Sequence, residues 1–209
     1  MARITLSYIC AVEWIYPTVN ELRDKYDIGI HIDLMDGHFV PRLGVQPELI
    51  DLLKNECDVP VDVHCMLTAN NHAWKDVLNS KADVIYAHYE AFHSKEHTLK
   101  FLKQDSRLQL AFKPQWTIQQ INEICEEMGV DDYLLMAYNP GITKQNSFYD
   151  LKKIMNTQRH VTVDGGVDFD TVEQFLGHNK VSLVAGSKLL FNSEYRQNID
   201  RLLAFDWLI

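Results

Sequence analysis

Long apolar runs are missing from this 209-residue chain. No stretch approaches the roughly 18 uninterrupted apolar residues that a membrane span requires. The N-terminal run MARITLSYICAVEW holds one basic residue and meets Glu13 early, so it does not read as a secretory leader. Basic runs are missing too. Lys and Arg number 20 against 29 Asp and Glu, a formal charge of −9. That balance removes the general attraction to phosphate backbones on which nucleic-acid binders rely, and it disfavours an anionic membrane surface. Cysteine is scarce: Cys10, Cys57, Cys65 and Cys125 show no C-x-x-C spacing and read as reduced, mostly buried thiols of a cytoplasmic protein. No Pro/Gly/Ser-rich linker divides the sequence, so residues 1–209 are expected to form one domain.

What is present is an alternation. Short apolar, β-branched segments bounded by polar or turn residues predict strands over 3–8, 28–33, 60–66, 83–88, 108–113, 132–138, 160–164 and 181–186. Their near-continuous hydrophobicity suits strands covered on both faces, as in parallel sheets. Between them lie helical patterns. One spans 17–26 and opens on Pro17. A second spans 117–128 behind Thr117 as N-cap, with Ile118, Ile121, Ile124, Cys125 and Met128 on one face. Others cover 168–177, from Asp168 to a stop at Gly177, then 193–204 and, most weakly patterned, 143–157. Eight strand–helix units are the number that closes an α/β (β/α)8 TIM barrel, with a doubly wound open sheet as the alternative.

The ionisable residues gather at the C-terminal ends of these strands, where a barrel builds its active site. Side chains alternate along a strand, so His31 and Asp33 share a face, with Ile30 and Ile32 on the other. Asp62, His64 and Met66 share a face, as do Thr162 and Asp164. If the apolar set faces the helices, His31, Asp33, His64 and Asp164 converge on the axis. Two imidazoles and two carboxylates suit one divalent ion, for which Zn, Fe, Mn and Co all qualify. Asp62 would then orient a histidine ligand. The alternative is that one or two of these residues are structural, the histidines being hydrogen-bonded within the barrel. Turns at Asp164-Gly165-Gly166 and Ala185-Gly186-Ser187 follow strands 7 and 8, the usual phosphate-binding place of this fold. Asn139-Pro140-Gly141 after strand 6 is a further turn, readable either as part of the site or as a plain β-turn.

Asp36, His38 and Glu90 are polar residues near the rim that read mainly as loop structure. His93 and His97, four apart on a helix, lack a third ligand and read as a solvated face.

The run from His31 to Pro41 (HIDLMDGHFVP) closely resembles the signature of the ribulose-phosphate 3-epimerase family. The similarity continues through Asp62-Val63-His64-Cys65-Met66, His88-Tyr89-Glu90, Met136, Asn139-Pro140-Gly141 with Gln145, Asp164-Gly165-Gly166-Val167 and Val184-Ala185-Gly186-Ser187. It spans about Ser7 to Phe191. The resemblance implies a barrel of the ribulose-phosphate-binding type holding one divalent metal on His31, Asp33, His64 and Asp164. It makes Asp33 and Asp164 the acid/base pair as well. It places Ser7 and His64 at the substrate, Met35, Met66 and Met136 as an apolar floor, and Gly165, Gly166, Gly186 and Ser187 at the phosphate. Gly141 and Lys144 fall in a loop that encloses substrate in the family. There the family's Phe-Gly-Gly is Ile142-Thr143-Lys144, so Lys144 either adds a phosphate contact or faces solvent. Other departures are the eroded start Leu6-Ser7-Tyr8-Ile9-Cys10-Ala11-Val12, Arg42 for Asn after Pro41, and Lys113-Pro114 for Asn-Pro. They ring the substrate site and leave the metal set intact.

The implied activity is a metal-dependent interconversion of D-ribulose 5-phosphate and D-xylulose 5-phosphate through two-aspartate proton transfer at C3. The implied partner is a small phosphorylated ketose, without nucleic acid or membrane. Self-association is common among such relatives, and the apolar ending Phe205-Asp206-Trp207-Leu208-Ile209 offers a docking segment on the barrel or on a neighbour. Competing expectations are a hexulose-phosphate 3-epimerase acting on D-allulose 6-phosphate and a catalytically silent sugar-phosphate binder. An aldolase or decarboxylase is a further one, with Lys113 its only strand-end Schiff-base candidate.

Overall fold

The computed structural model describes residues 4–141, 154, 157, 159–175 and 178–205. Eight parallel strands, β1 (Ile4–Ser7), β2 (Ile28–Met35), β3 (Val61–Met66), β4 (Val84–His88), β5 (Leu108–Phe112), β6 (Asp132–Met136), β7 (His160–Asp164) and β8 (Val181–Ala185), pair in chain order. β8 returns to β1, with Ile4 opposite Leu183, and closes the barrel. The helices among the described residues are α1 (Ile15–Leu22), α2 (Glu48–Cys57), α3 (Ala73–Asn79), α4 (Lys95–Leu102), α5 (Ile118–Met128), α6 (Phe169–Gln174), α7 (Ser187–Leu190) and α8 (Tyr195–Ala204). This is the (β/α)8 barrel. None of these helices is long and apolar enough to cross a membrane.

Strand parity divides the core into two regions. Outward-facing Ile30, Ile32, Val61, Val63 and Cys65 are fully buried in one large cluster with the helix faces. Burying an isoleucine side chain this completely contributes about 2 kcal/mol. Inward-facing Tyr86, Ala111, Leu134 and Met136 form a second, small cluster inside the barrel. There the Tyr86 hydroxyl and Thr162 Oγ1 lie 2.9 Å apart, a hydrogen bond across the interior. The register sets Asp33 beside His64, His31 beside Asp62 and Met136 beside Asp164. The polar parity sets therefore stack at one end.

Helix starts follow their caps. Thr117 and Gln120 form a reciprocal capping box at α5, and Gly129 in the left-handed region ends that helix. Asp168 caps α6 by accepting from Thr171 N at 3.0 Å. α1 starts at Ile15 rather than at Pro17. Pro17 tolerates this because it is still among the first residues, whose N–H has no partner within the helix. α1 also ends at Leu22, short of the expected 26. Helices α3 and α4 carry no strong sequence stripe: α3 buries only Trp74 and Val77, and α4 only Thr98 and Phe101, whereas α2 buries Ile50, Leu53 and Cys57 along one face. The expected helix over 143–157, the stop at Gly177 and most of the apolar ending lie outside the described residues, apart from Ile154, Thr157 and Phe205.

Candidate functional site

β2 delivers His31 and Asp33, β3 delivers His64 and β7 delivers Asp164 to one point at the C-terminal mouth of the barrel. One ligand atom from each of the four lies within 4.8 Å of all the others. His64 Nδ1 stands 3.1 Å from Asp33 Oδ1 and 3.2 Å from Asp164 Oδ2. His31 Nε2 stands 3.5 and 3.8 Å from the same two oxygens. It is a buried nitrogen without a hydrogen-bond partner. A buried polar atom left unpartnered is costly unless something else satisfies it. An unpartnered imidazole nitrogen facing two carboxylates is what a divalent cation would satisfy, and the two-nitrogen, two-oxygen set matches borderline transition metals. The residues present fit such an ion.

The charges agree with this. Burial works against a charged His31 ring, yet Asp62 and Asp33 hold its pKa well above the ordinary value. His64 is raised likewise by Asp164 and Asp33, against the effect of burial. Burial would raise Asp33, but hydrogen bonds from both histidines hold it below the usual carboxylate range. The site thus stabilises positive charge at its centre.

A second ring of side chains backs these four. His31 Nδ1 lies 2.7 Å from Asp62 Oδ1. His64 Nε2 lies 2.8 Å from His88 Nε2, and His88 Nδ1 lies 3.0 Å from Glu90 Oε2. Burial holds His88 down at about 4, despite Glu90, so its ring is neutral at physiological pH. Burial pushes Glu90 up, but His88 and the backbone donors led by Lys113 N together outweigh that and hold the carboxyl below its ordinary value. Asp36 ties the mouth loops together. Oδ1 accepts from His38 N and Phe39 N, and Oδ2 accepts from Thr68 N, Thr68 Oγ1 and Asn71 Nδ2. Glu90 and Asp36 are therefore supports, as their rim positions suggested.

Above these four side chains opens a cavity of about 730 Å³. Ser7, Met35, Met66, Met136 and Gly141 line it, and so do Gly165, Gly166, Gly186 and Ser187. Asp33 and Asp164 reach it, each 14% exposed, whereas His31 and His64 are at 0%. Only the carboxylates of the cluster face the space a substrate would fill. His64, expected at substrate as well as metal, is wholly buried and does not line the cavity. Lys144 lies outside the described residues. Arg42, Lys188, Tyr138 and Phe191 also line the cavity. Of these, only Arg42 stood out in the sequence, as a departure from the family pattern.

Gly44 escaped sequence reading altogether, since no motif marks it. A Cβ there would stand 2.5 Å from Asp33 O and 2.6 Å from Met35 N, so the loop lies directly on the end of β2. Gly165, at φ +95, adopts a backbone conformation that side-chain-bearing residues rarely take.

Other candidates fall away. Lys113 Nζ sits 4.4 Å from the Phe39 ring centroid and does not line the cavity, so the strand-end Schiff-base candidate is not at the site; the lysine that does line it, Lys188, is paired with Asp168 at 2.5 Å. Cys10 does line it, but burial pushes its thiol up to about 11, so it is no nucleophile at neutral pH. His93 and His97 have ring centroids 6.1 Å apart and belong to no metal-capable cluster among the described residues.

Comparison with known proteins follows the same line. The Ribulose-phosphate 3 epimerase family model matches residues 17–190. A ribulose-phosphate 3-epimerase of Bacillus subtilis (strain 168) is 29% identical over 198 residues, covering 88% of this chain and 90% of the relative. One from Buchnera aphidicola is 30% identical over 197 residues, covering 87% and 86%. Among solved structures, the KGPDC of Streptococcus mutans aligns with a TM-score of 0.59 at 15% identity, covering 97% and 99%. The YdjI aldolase of Escherichia coli K12 aligns at 0.61 and 10% identity, covering 98% and 92%. At those identities the two structures share the barrel fold and nothing more specific.

Proposed function

The chain belongs to the ribulose-phosphate 3-epimerase family, and from that premise we propose that it interconverts D-ribulose 5-phosphate and D-xylulose 5-phosphate. One observation carries the reading: two cavity-facing carboxylates, from β2 and β7, flank the same buried imidazole at 3.1 and 3.2 Å. An epimerase needs two proton-transfer groups, one on each side of a planar intermediate.

The hydrogen at C3 of a 2-ketose phosphate lies α to the carbonyl, and its removal leaves an enediolate. A divalent cation on His31, Asp33, His64 and Asp164 would supply Lewis acidity for the developing negative charge. Asp33 accepts the C3 proton from one face, and the Asp164 carboxylic acid returns a proton to the other, which inverts the centre. In the reverse direction the two exchange roles. Two close carboxylates cannot both be ionised at equal ease, so one of the pair holds a proton as the other gives its own up. Met35, Met66 and Met136 exclude water from the apolar side of the intermediate. Ser7 orients a substrate hydroxyl. At the far side of the cavity the backbone N–H groups of Gly165, Gly166, Gly186 and Ser187 receive the phosphate, where glycine lets an anion approach the main chain. The four free thiols fit a reducing compartment, the cytoplasm.

A second reading has one observation in its favour. Arg42 lines the cavity where the family carries asparagine, an added cation that would suit a longer hexulose 6-phosphate. One experiment tests both. The metal-loaded protein is incubated with each sugar phosphate in heavy water and C3 is followed by NMR. Deuterium at C3, with xylulose 5-phosphate appearing from ribulose 5-phosphate, is the expected result. Exchange with allulose 6-phosphate alone transfers the assignment to the hexulose. Absence of exchange from both, at measured metal occupancy, overturns the epimerase reading.

A further inference from the structure

A metal takes an imidazole nitrogen only when that nitrogen is bare, so each histidine ligand must carry its proton on the other nitrogen. At His31 the means is direct: Asp62 Oδ1, 2.7 Å from Nδ1, accepts that proton and leaves Nε2 bare. At His64 no carboxylate sits behind the ring. On the ligand side, Asp33 and Asp164 stand 3.1 and 3.2 Å from Nδ1, and both attract a proton to the nitrogen that has to be bare. Something must pull the other way.

The chain behind His64 does so. Glu90 Oε1 accepts from Lys113 N at 2.8 Å and from Trp116 Nε1 at 2.7 Å, two donors whose direction is unambiguous. Its Oε2 faces His88 Nδ1 at 3.0 Å. A carboxylate only accepts, so His88 carries its proton on Nδ1 and leaves Nε2 as an acceptor. The 2.8 Å contact between the two Nε2 atoms then takes its one proton from His64. His64 Nδ1 is left bare, facing the centre. We propose that Glu90 and His88 are positioning residues that select the metal-binding tautomer of His64, Glu90 acting at two removes through the His88 ring. Each histidine ligand is thus set by a carboxylate, one in direct contact and one relayed.

The arrangement makes an isosteric test. In Glu90→Gln the amide oxygen is claimed by the two N–H donors of Lys113 and Trp116. The amide NH2 therefore turns to His88 Nδ1 and donates to it. His88 must then carry its proton on Nε2, which donates to His64 Nε2, and the His64 proton moves to Nδ1, against the metal. The inference rests on the metal-centre reading, and its test uses binding and spectra rather than turnover. Zinc affinity is measured by competition with a chromophoric chelator. Glu90→Gln is expected to bind 10- to 100-fold more weakly than the parent, about the usual cost of losing such a support. Affinity within about two-fold of the parent overturns the relay while leaving the metal centre standing. A parent that binds no zinc overturns the metal reading and the relay with it. If the variant does not fold, nitrogen-15 spectra of the zinc-loaded parent decide: protons on His64 Nε2 and His88 Nδ1 support the relay, and a proton on His88 Nε2 refutes it.

Discussion

Gly44→Ala adds one methyl group against the strand that carries His31 and Asp33. The added carbon would stand 2.5 Å from Asp33 O and 2.6 Å from Met35 N, where ordinary contact begins at 3.4 Å. Loop and strand must therefore separate by about 0.9 Å. The loop is not free to supply all of that. Gly44 N donates to Met35 O at 3.0 Å, Gly37 N donates to Arg42 O at 2.9 Å, and Asp36 pairs with Leu43 as a bridge while its carboxylate fastens the loop to Thr68. Part of the displacement falls on the Asp33 backbone. A misplacement approaching 1 Å at a reacting group costs on the order of 10²-fold in rate, so a shared shift is expected to lower kcat by roughly 10- to 100-fold. The steric strain is expected to cost about 1–3 kcal/mol of stability. Turnover with ribulose 5-phosphate, zinc affinity and urea unfolding are the assays. A variant with parental kcat and parental zinc affinity would falsify the claim that this glycine positions Asp33.

Three further outcomes are expected. Asp33→Asn and Asp164→Asn should each abolish turnover, because either change removes one of the two proposed proton carriers; near-parental rates in either would sink the two-aspartate mechanism. Burial pushes the Asp36 carboxyl up, but hydrogen bonds led by Thr68 N win and hold it at about 2, below the ordinary 3.8. The folded-state value is the lower one, so its stabilisation is full above pH 3.8 and is lost as pH falls toward about 2. Allowing for solvent screening, that is on the order of 1 kcal/mol. Asp36→Asn should be less stable by that amount at neutral pH and should converge on the parent near pH 2, and equal stability at all pH values would contradict it. Thr117→Ala removes the capping box of α5 and should cost about 1 kcal/mol in chemical unfolding, with kcat unchanged.

Much of the site follows from properties that are local in the chain. Alternation along a strand already puts His31 with Asp33, Asp62 with His64, and Thr162 with Asp164, because an extended backbone turns successive side chains to opposite faces wherever it is placed. The caps at Thr117 and Asp168 are local for the same reason: a side chain reaches a backbone N–H three residues on. The strands were legible from β-branched runs, whereas α3 and α4 bury too few residues to stamp a period on the sequence.

Closure and register are not local. That Asp164 comes within 3.2 Å of His64 depends on β8 returning to β1 and on the stagger of every pair between. The parity argument shows which face each side chain takes and leaves its neighbour open. The register supplied Asp62 to His31, and packing at the mouth supplied His88 and Glu90 to His64 and set Gly44 against Asp33. Such contacts join residues far apart in the chain, whose meeting is decided by how eight strands share one circumference. The residue types and their faces are therefore written in the sequence. Which nitrogen is left bare, and which carboxylate stands beside it, is decided only when the barrel closes.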